Sequence, residues 1–267
     1  MTHTFQKDQL EVRIYPTRVD MGRAAAEDVA KTIRTFLLHK QELNMIFAAA
    51  PSQNEFLEAL CSYKDIDWHR INVFHMDEYV GLPEEAPQRF GNFLKERIFD
   101  KLPFKSVNYL NGNHSNPKDE CERYADLLHR YPADIVCMGI GENGHIAFND
   151  PHVALFKDPD LVKVVDLDDT CRMQQVNDGC FSTFEAVPAY AFTLTIPALM
   201  CADRLFCIVP GKSKAWALYH ALTDPVSERI PATILRNHEQ ALLYADTDSG
   251  SLIEKSFSKK YDHSTCH

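Results

Sequence analysis

The chain has 267 residues, with 28 Lys and Arg against 38 Asp and Glu and only 10 glycines. A hydrophobic content of 45% with 25% charged residues is that of a globular protein with a sizeable core, which excludes a disordered chain and a disulfide-stapled miniprotein. The net charge of −10 excludes a general binder of nucleic acid or anionic membrane, because such partners need a basic stripe, while a small anion needs only two or three local cations.

Short apolar runs rich in β-branched and aromatic residues alternate with longer amphipathic segments, the pattern of a parallel sheet with crossover helices. In chain order the reading predicts a strand at Val12–Tyr15, a helix at Met21–His39, a strand at Asn44–Ala49 and a helix at Asn54–Tyr63. A strand at Ile71–His75 follows, then helices at Arg89–Phe99 and Lys118–His129 and strands at Ile135–Gly139, Val162–Val165, Tyr190–Thr195 and Arg204–Val209. A helix at Lys212–Leu222, a short one at Ala232–Asn237 and a strand at Gln240–Tyr244 complete the pattern. No linker-like shift in composition interrupts it, so a single α/β domain over residues 1–267 is expected: a Rossmann-like, open, mostly parallel twisted sheet with helices on both faces. The polar stretch 256–267 reads as a flexible tail.

None of the eight cysteines forms a C-x-x-C pair, and two lie inside apolar runs, so reduced thiols in a cytoplasmic protein are expected. The N-terminus lacks a basic-then-apolar signal pattern, and no apolar run approaches the roughly 18 residues needed to span a bilayer.

In open α/β sheets ligands bind beyond the carboxyl ends of strands, and four such places carry chemistry. After Asn44–Ala49, Ser52 and Glu55 have capping-box spacing, and the helix start that they mark is either a plain cap or a phosphate seat. After Ile71–His75 comes the acidic pair Asp77-Glu78, which holds a general base with a tuned pKa or merely caps a turn and faces solvent. After Ile135–Gly139, three of the ten glycines, Gly139, Gly141 and Gly144, fall within six residues. Their G-x-G-x-x-G spacing lies far from the first strand and opens no long helix, which disfavours a dinucleotide loop. His145, with Asp150 five residues on, instead suits an acid/base oriented by a carboxylate. After Arg204–Val209, Lys212 and Lys214 occupy a helix start, where lysine opposes the macrodipole and so suggests an anion to be held. The histidines show no H-x-x-x-H or H-E-x-x-H spacing and there is no G-x-S-x-G, so neither a metal centre nor a serine hydrolase is expected.

Two segments, MDEYVGL (Met76–Leu82) and GIGENGHIAFNDP (Gly139–Pro151), resemble the signatures of the glucosamine-6-phosphate deaminase/isomerase family. YLNGN (Tyr109–Asn113), VPAYAFTLT (Val187–Thr195) and GKSKAWAL (Gly211–Leu218) extend the resemblance over about 12–245. The continuation Ile146-Ala147-Phe148-Asn149 has the deaminase form, unlike the T-A-S-like form of the related 6-phosphogluconolactonases. The resemblance implies conversion of glucosamine 6-phosphate and water to fructose 6-phosphate and ammonia without a cofactor. It makes Asp77 the base between C2 and C1, His145 the group that opens the ring, and Asp150 and Asn143 its catalytic companions. Ser52, Gln53, Glu78, Gly141, Gly144, Arg172 and Lys214 are then the residues expected to hold the substrate and its phosphate.

The chain departs from that family at three places. Pro51-Ser52-Gln53-Asn54 replaces a Gly/Thr-rich phosphate loop, and Asp150 stands where the family has Glu. No arginine sits in the usual phosphate register, so Arg172 is the nearest substitute. HVALFKDPDL (His152–Leu161) is poor in cations, so no activation by an N-acetyl sugar phosphate is expected. Galactosamine 6-phosphate chemistry, a lactonase-like hydrolase and a non-catalytic sugar-phosphate sensor stand as alternatives. The partner in each is a small phosphorylated sugar, and homo-oligomerisation is left open.

Overall fold

The structure, a computed structural model, describes residues 3–253. The expected tail at 256–267 lies outside them. Eleven strands are present among the described residues: β1 (His3–Lys7), β2 (Leu10–Tyr15), β3 (Leu43–Phe47), β4 (Ile71–His75), β5 (Asp77–Tyr79), β6 (Ser106–Asn108), β7 (Ile135–Met138), β8 (Val162–Asp166), β9 (Tyr190–Leu194), β10 (Arg204–Val209) and β11 (Ala241–Asp246). The α-helices are α1 (Arg18–Leu37), α2 (Asn54–Leu60), α3 (Phe90–Leu94), α4 (Pro117–Arg130), α5 (Asp169–Asn177), α6 (Ile196–Met200) and α7 (Ala215–Thr223).

Eight strands form one sheet in the order β1-β2-β11-β10-β7-β3-β4-β6. Every pairing in it is parallel except the β1-β2 hairpin at its edge. Side chains alternate across the sheet with period two. Met45, Phe47, Val73 and Cys137 pack with α1 and α2, while Ile46, Phe74, Val136 and Met138 join the opposite core, which holds α4 and α7 residues such as Tyr124 and Leu218. Helices therefore cover both faces, as the apolar runs without alternation require.

Two expected strands do not belong to this sheet. β8 and β9 pair antiparallel with each other, and β9 pairs antiparallel with β5, in a separate three-stranded sheet. The half-exposed pattern of β8 fits a sheet with one face open to solvent. The helix expected at Arg89–Phe99 is α3 continued by a π turn at Lys95–Phe99, and the one at Ala232–Asn237 is a 3-10 helix, Pro231–Asn237. β1, β5, β6, α5 and α6 escaped the sequence reading, because each is short or lacks a regular apolar period. No helix of the described residues is long and apolar enough to cross a membrane.

The order β10-β7-β3-β4 places four carboxyl strand ends side by side. β3 is followed by β4 on one side and pairs with the later β7 on the other, so the chain reverses direction across the sheet there and a crevice opens. Helix α1, capped by the Thr17 side chain on the Asp20 amide, packs a small-residue face against α2 near this crevice. At Gly22 a Cβ would lie 2.8 Å from Glu55 Cβ and 2.9 Å from the α2 backbone. Ala is better than Gly in a helix by about 1 kcal/mol, but overpacking against a backbone costs about 1–3 kcal/mol. Gly22→Ala should therefore lower the melting temperature; a more stable variant in thermal unfolding would contradict the close packing of these helices.

Candidate active site

The crevice is lined by residues from all four strand ends: Ser52 and Gln53 after β3, Asp77 after β4, Gly141 and His145 after β7, and Lys214 after β10. The structure thus brings six of the eleven expected site residues to one surface.

Beyond β3 the chain makes a 3-10 turn, Pro51–Gln53, and then α2. The expected capping box is not formed. Glu55 turns to Arg18 instead, accepting from its Nη2 at 2.9 Å with Nε at 2.6 Å, so ion pairing to α1 wins over the local backbone contact. Ser52 Oγ accepts from Gln53 Nε2 at 3.2 Å, and the buried Gln53 Oε1 has no partner among the described residues.

The acidic pair after β4 divides into two roles. Asp77 is buried, neither carboxylate oxygen has a hydrogen bond among the described residues, and Oδ1 is fully enclosed. Burial, and secondarily the charge of Glu78, hold its pKa well above the usual carboxylate range. Glu78 neither faces solvent nor reaches the crevice. Its carboxylate accepts the amides of Tyr79 (2.9 Å), Phe90 (3.1 Å) and Gly91 (3.0 Å), with Arg89 Nε at 3.8 Å. Two of these are free amides at the start of α3, so Glu78 caps a helix and lies outside the crevice lining where it was expected. Burial pushes its pKa up and the amides and Arg89 oppose that, leaving it at about 6.

After β7 the glycine loop folds onto itself. Gly141 N–H donates to the His145 carbonyl at 2.9 Å, and a Cβ on Gly141 would sit 2.1 Å from the imidazole, so this glycine makes room for the ring. Gly144 takes φ +85° and gives its carbonyl to Ala232 N–H, which makes it a turn residue away from the crevice lining. His145 Nδ1 lies 2.9 Å from Asp150 Oδ1. The same oxygen accepts Asn143 Nδ2 at 2.9 Å, Asn143 also donates to Asp168 Oδ2 at 3.1 Å, and its own Oδ1 accepts His145 N–H at 3.0 Å. The shorter Asp150 therefore reaches the histidine directly. Burial alone would raise its pKa, but His145, Asn143 and the Asp168 amide lower it below the ordinary value, so it stays ionised behind the ring. Ala147, at φ +51°, makes the bend that brings Asp150 back, at a strain of order 1 kcal/mol.

After β10, Gly211 N–H is held by both Asp246 oxygens, and a 3-10 turn, Lys212–Lys214, follows. Lys212 is exposed, whereas Lys214 is buried and has no ion pair or hydrogen bond from its side chain among the described residues. Burial lowers its pKa, and the charges of Asp178 and Glu142 only partly oppose this.

Arg172 is not in the crevice. Its Nη2 donates to the carbonyls of Phe184 (3.0 Å) and Val187 (2.9 Å), and its guanidinium lies 3.9 Å over the Phe184 ring. That correction has a helical reason: α5 buries Cys171, Gln174 and Gln175, one face at three- and four-residue spacing, and Arg172 points elsewhere. Gln174 Oε1 accepts Glu142 N–H at 2.8 Å and Gln175 lines the crevice with no partner for its amide among the described residues. Neither glutamine was anticipated. The signal available was Asp168, whose side chain caps α5 at Cys171 N–H (2.6 Å) with N-cap spacing readable in the sequence.

His145, Asp150 and Cys171 place donor atoms within 4.8 Å of one another, as do Asp150, His152 and Asp168. Burial, with Asp150 and Asp168, pushes the Cys171 thiol well above its usual pKa. In the first group the Asp150 carboxylate orients the His145 ring.

The profile of the family described as glucosamine-6-phosphate isomerases/6-phosphogluconolactonase matches residues 16–244. Glucosamine-6-phosphate deaminases of Bacillus cereus and Bacillus anthracis are each 36% identical over 196 residues, covering 73% of this chain and 73% of the relative. Among solved structures, a monomeric glucosamine-6-phosphate deaminase superposes with a TM-score of 0.82 at 28% identity, over 90% of this chain and 99% of that one. The 6-phosphogluconolactonase of Thermotoga maritima gives 0.71 at 21% identity, over 88% and 98%, a likeness of fold.

Two outcomes follow from the geometry. Gly141→Ala should displace the imidazole and leave the fold intact, detected as a His145 ring shift in a crystal structure with a melting temperature near that of the parent. Asp77 has a folded pKa above its unfolded value of about 3.9, so the folded chain holds the extra proton and stability falls as pH rises between the two. Asp77→Asn should therefore melt higher than the parent at pH 8, with a difference that shrinks as pH is lowered towards 5; equal melting at both pH values would show that Asp77 is not desolvated.

Proposed function

Because the chain belongs to the glucosamine-6-phosphate isomerase/6-phosphogluconolactonase family, we propose that it is an amino-sugar-phosphate deaminase that converts glucosamine 6-phosphate and water to fructose 6-phosphate and ammonia. The observation that carries this reading is that Asp77, a buried carboxyl group, and Lys214, a buried lysine, line one crevice and neither side chain has a partner among the described residues. Unpaired buried polar groups of this kind are costly and find their counterparts in a ligand that is anionic at one end and gives up a proton at the other.

In this reading Lys214 takes the phosphate, with amide and hydroxyl groups of Ser52, Gln53 and Gln175 around it. One cation and neutral donors replace the arginine that the family resemblance led us to expect. His145, held at Nδ1 by ionised Asp150, moves a proton at the ring oxygen and opens the pyranose. Asp77 then removes the proton from C2 of the open chain and returns it to C1. The double bond that forms between C1 and C2 becomes an imine at C2, and hydrolysis of that imine consumes water and releases ammonia. Desolvation suits Asp77 to this task, because a carboxylate whose pKa is raised is a stronger base towards a carbon-bound proton than an ordinary one.

The deaminase form of residues 146–149 favours this reaction over lactone hydrolysis. The acidic chain and its seven unpaired described cysteines are consistent with a cytoplasmic enzyme of carbohydrate metabolism that does not bind nucleic acid.

Incubation with glucosamine 6-phosphate should release ammonia, and Asp77→Asn should reduce release by about 100- to 10,000-fold. Turnover of 6-phosphogluconolactone alone would instead establish the lactonase. Lys214→Met should act mainly on KM. Since Asp77 must be ionised to act and its pKa is raised, kcat/KM should fall with decreasing pH well above pH 4; a rate unchanged down to the ordinary carboxylate range would remove Asp77 as the base.

A further inference from the structure

We propose that His75 is a positioning residue that aims the Asp77 carboxylate at the substrate, a role that rests on the reading of Asp77 as the base. His75 ends β4 and is fully buried. Its Nε2 accepts the Leu110 amide at 3.0 Å, so the single proton of the neutral ring belongs on Nδ1, which donates to the Asp77 carbonyl at 2.8 Å. Burial keeps the ring neutral by lowering its pKa to about 4. The backbone of His75 is held equally firmly: Tyr124 accepts its N–H at 3.1 Å and donates to its carbonyl at 2.9 Å.

The Asp77 carboxylate is in the opposite condition. It accepts no hydrogen bond from the described residues, so its direction is set by its own backbone rather than by a neighbouring donor. That backbone is paired with Thr193 on one side, and its carbonyl is taken by the His75 ring. The imidazole is thus a rigid spacer between the Leu110 amide and the residue that carries the base. A base placed by backbone alone keeps its oxygens free for the substrate, and displacement of the backbone by about 1 Å costs of order 100-fold in rate.

Two variants separate the two bonds. Asn places an amide nitrogen where Nδ1 sits and keeps the donor to the Asp77 carbonyl; Gln carries an amide oxygen to the Nε2 position and keeps the acceptor for Leu110. Each loses one buried hydrogen bond, so similar drops in melting temperature are expected. With glucosamine 6-phosphate, His75→Asn should retain kcat within about threefold, while His75→Gln should lose about 10- to 100-fold in kcat with KM unchanged. Equal kcat in the two variants, or the reverse order, overturns the proposal. If His75→Gln does not fold, His75→Leu replaces it: it fills the space without either bond, and full kcat in that variant shows a packing role only. Crystal structures give a reading independent of turnover, with the Asp77 carboxylate in place in the Asn variant and displaced in the Gln or Leu variant. An undisplaced carboxylate in all of them overturns the positioning role. Absence of ammonia release by the parent protein overturns the deaminase reading alone, and the carboxylate positions then decide the role of His75.

Discussion

The parallel ladder through β10, β7, β3 and β4 is the constraint on which the site depends. Parallel pairing brings strand ends of the same polarity to one edge of the sheet. Four segments, from Ser52 to Lys214 in the chain, therefore deliver Lys214, His145, Ser52 and Asp77 to one crevice, without any of these side chains contributing a fold-stabilising pair to the others. The flanking helices make this possible by burying both faces of the sheet, so the strands need no polar residue of their own to solubilise them.

Within that frame the polar groups fall into two classes. Asp150, Asn143, Asp168, Glu78 and Asp246 have their hydrogen-bonding capacity taken up by amides, side chains and capped helix starts. Asp77 Oδ1 and Gln53 Oε1 are enclosed without a partner, and the buried residues Lys214 and Gln175 have no side-chain hydrogen bond among the described residues. Leaving a buried polar group unpaired costs about 1–3 kcal/mol, and here the strained Ala147 adds to that. The satisfied class supplies rigidity, and the unsatisfied class supplies the crevice with groups that complete their bonding only on a ligand. Asp150 illustrates the link between the two: kept ionised by its own partners, it fixes one face of His145 and leaves the rest of the ring to the crevice.

The places where sequence reading failed have a common physical cause. Ser52 and Glu55 have the spacing of a capping box, but a guanidinium from α1 offers Glu55 a stronger partner than a backbone amide. Asp77 and Glu78 are adjacent and chemically alike, yet the strand pleat sends one towards the crevice and the other under α3. Arg172 was expected at the phosphate because it is a cation in the right region; the phase of α5 turns it to the Phe184 and Val187 carbonyls and presents Gln175 instead. Each outcome turns on a partner or a rotation supplied from elsewhere in the chain. β8 and β9 were recognised as strands, but their membership of a second sheet depended on β5, a three-residue strand with no pattern of its own.

The sequence by itself determined the alternation of strand and helix, the two signature segments, the scarcity of glycine outside the His145 loop and the acidic residues beside it, because these are properties of period, spacing and residue type. It also placed each of the four motifs immediately after a strand. Tertiary structure alone decided which motifs are neighbours, which of two adjacent carboxylates is unpaired, that Lys214 rather than Lys212 is the buried cation, and that Gly141 exists to admit an imidazole. Those properties are set by strand order, helix phase and desolvation, which arise only when distant segments pack and exclude water from one another.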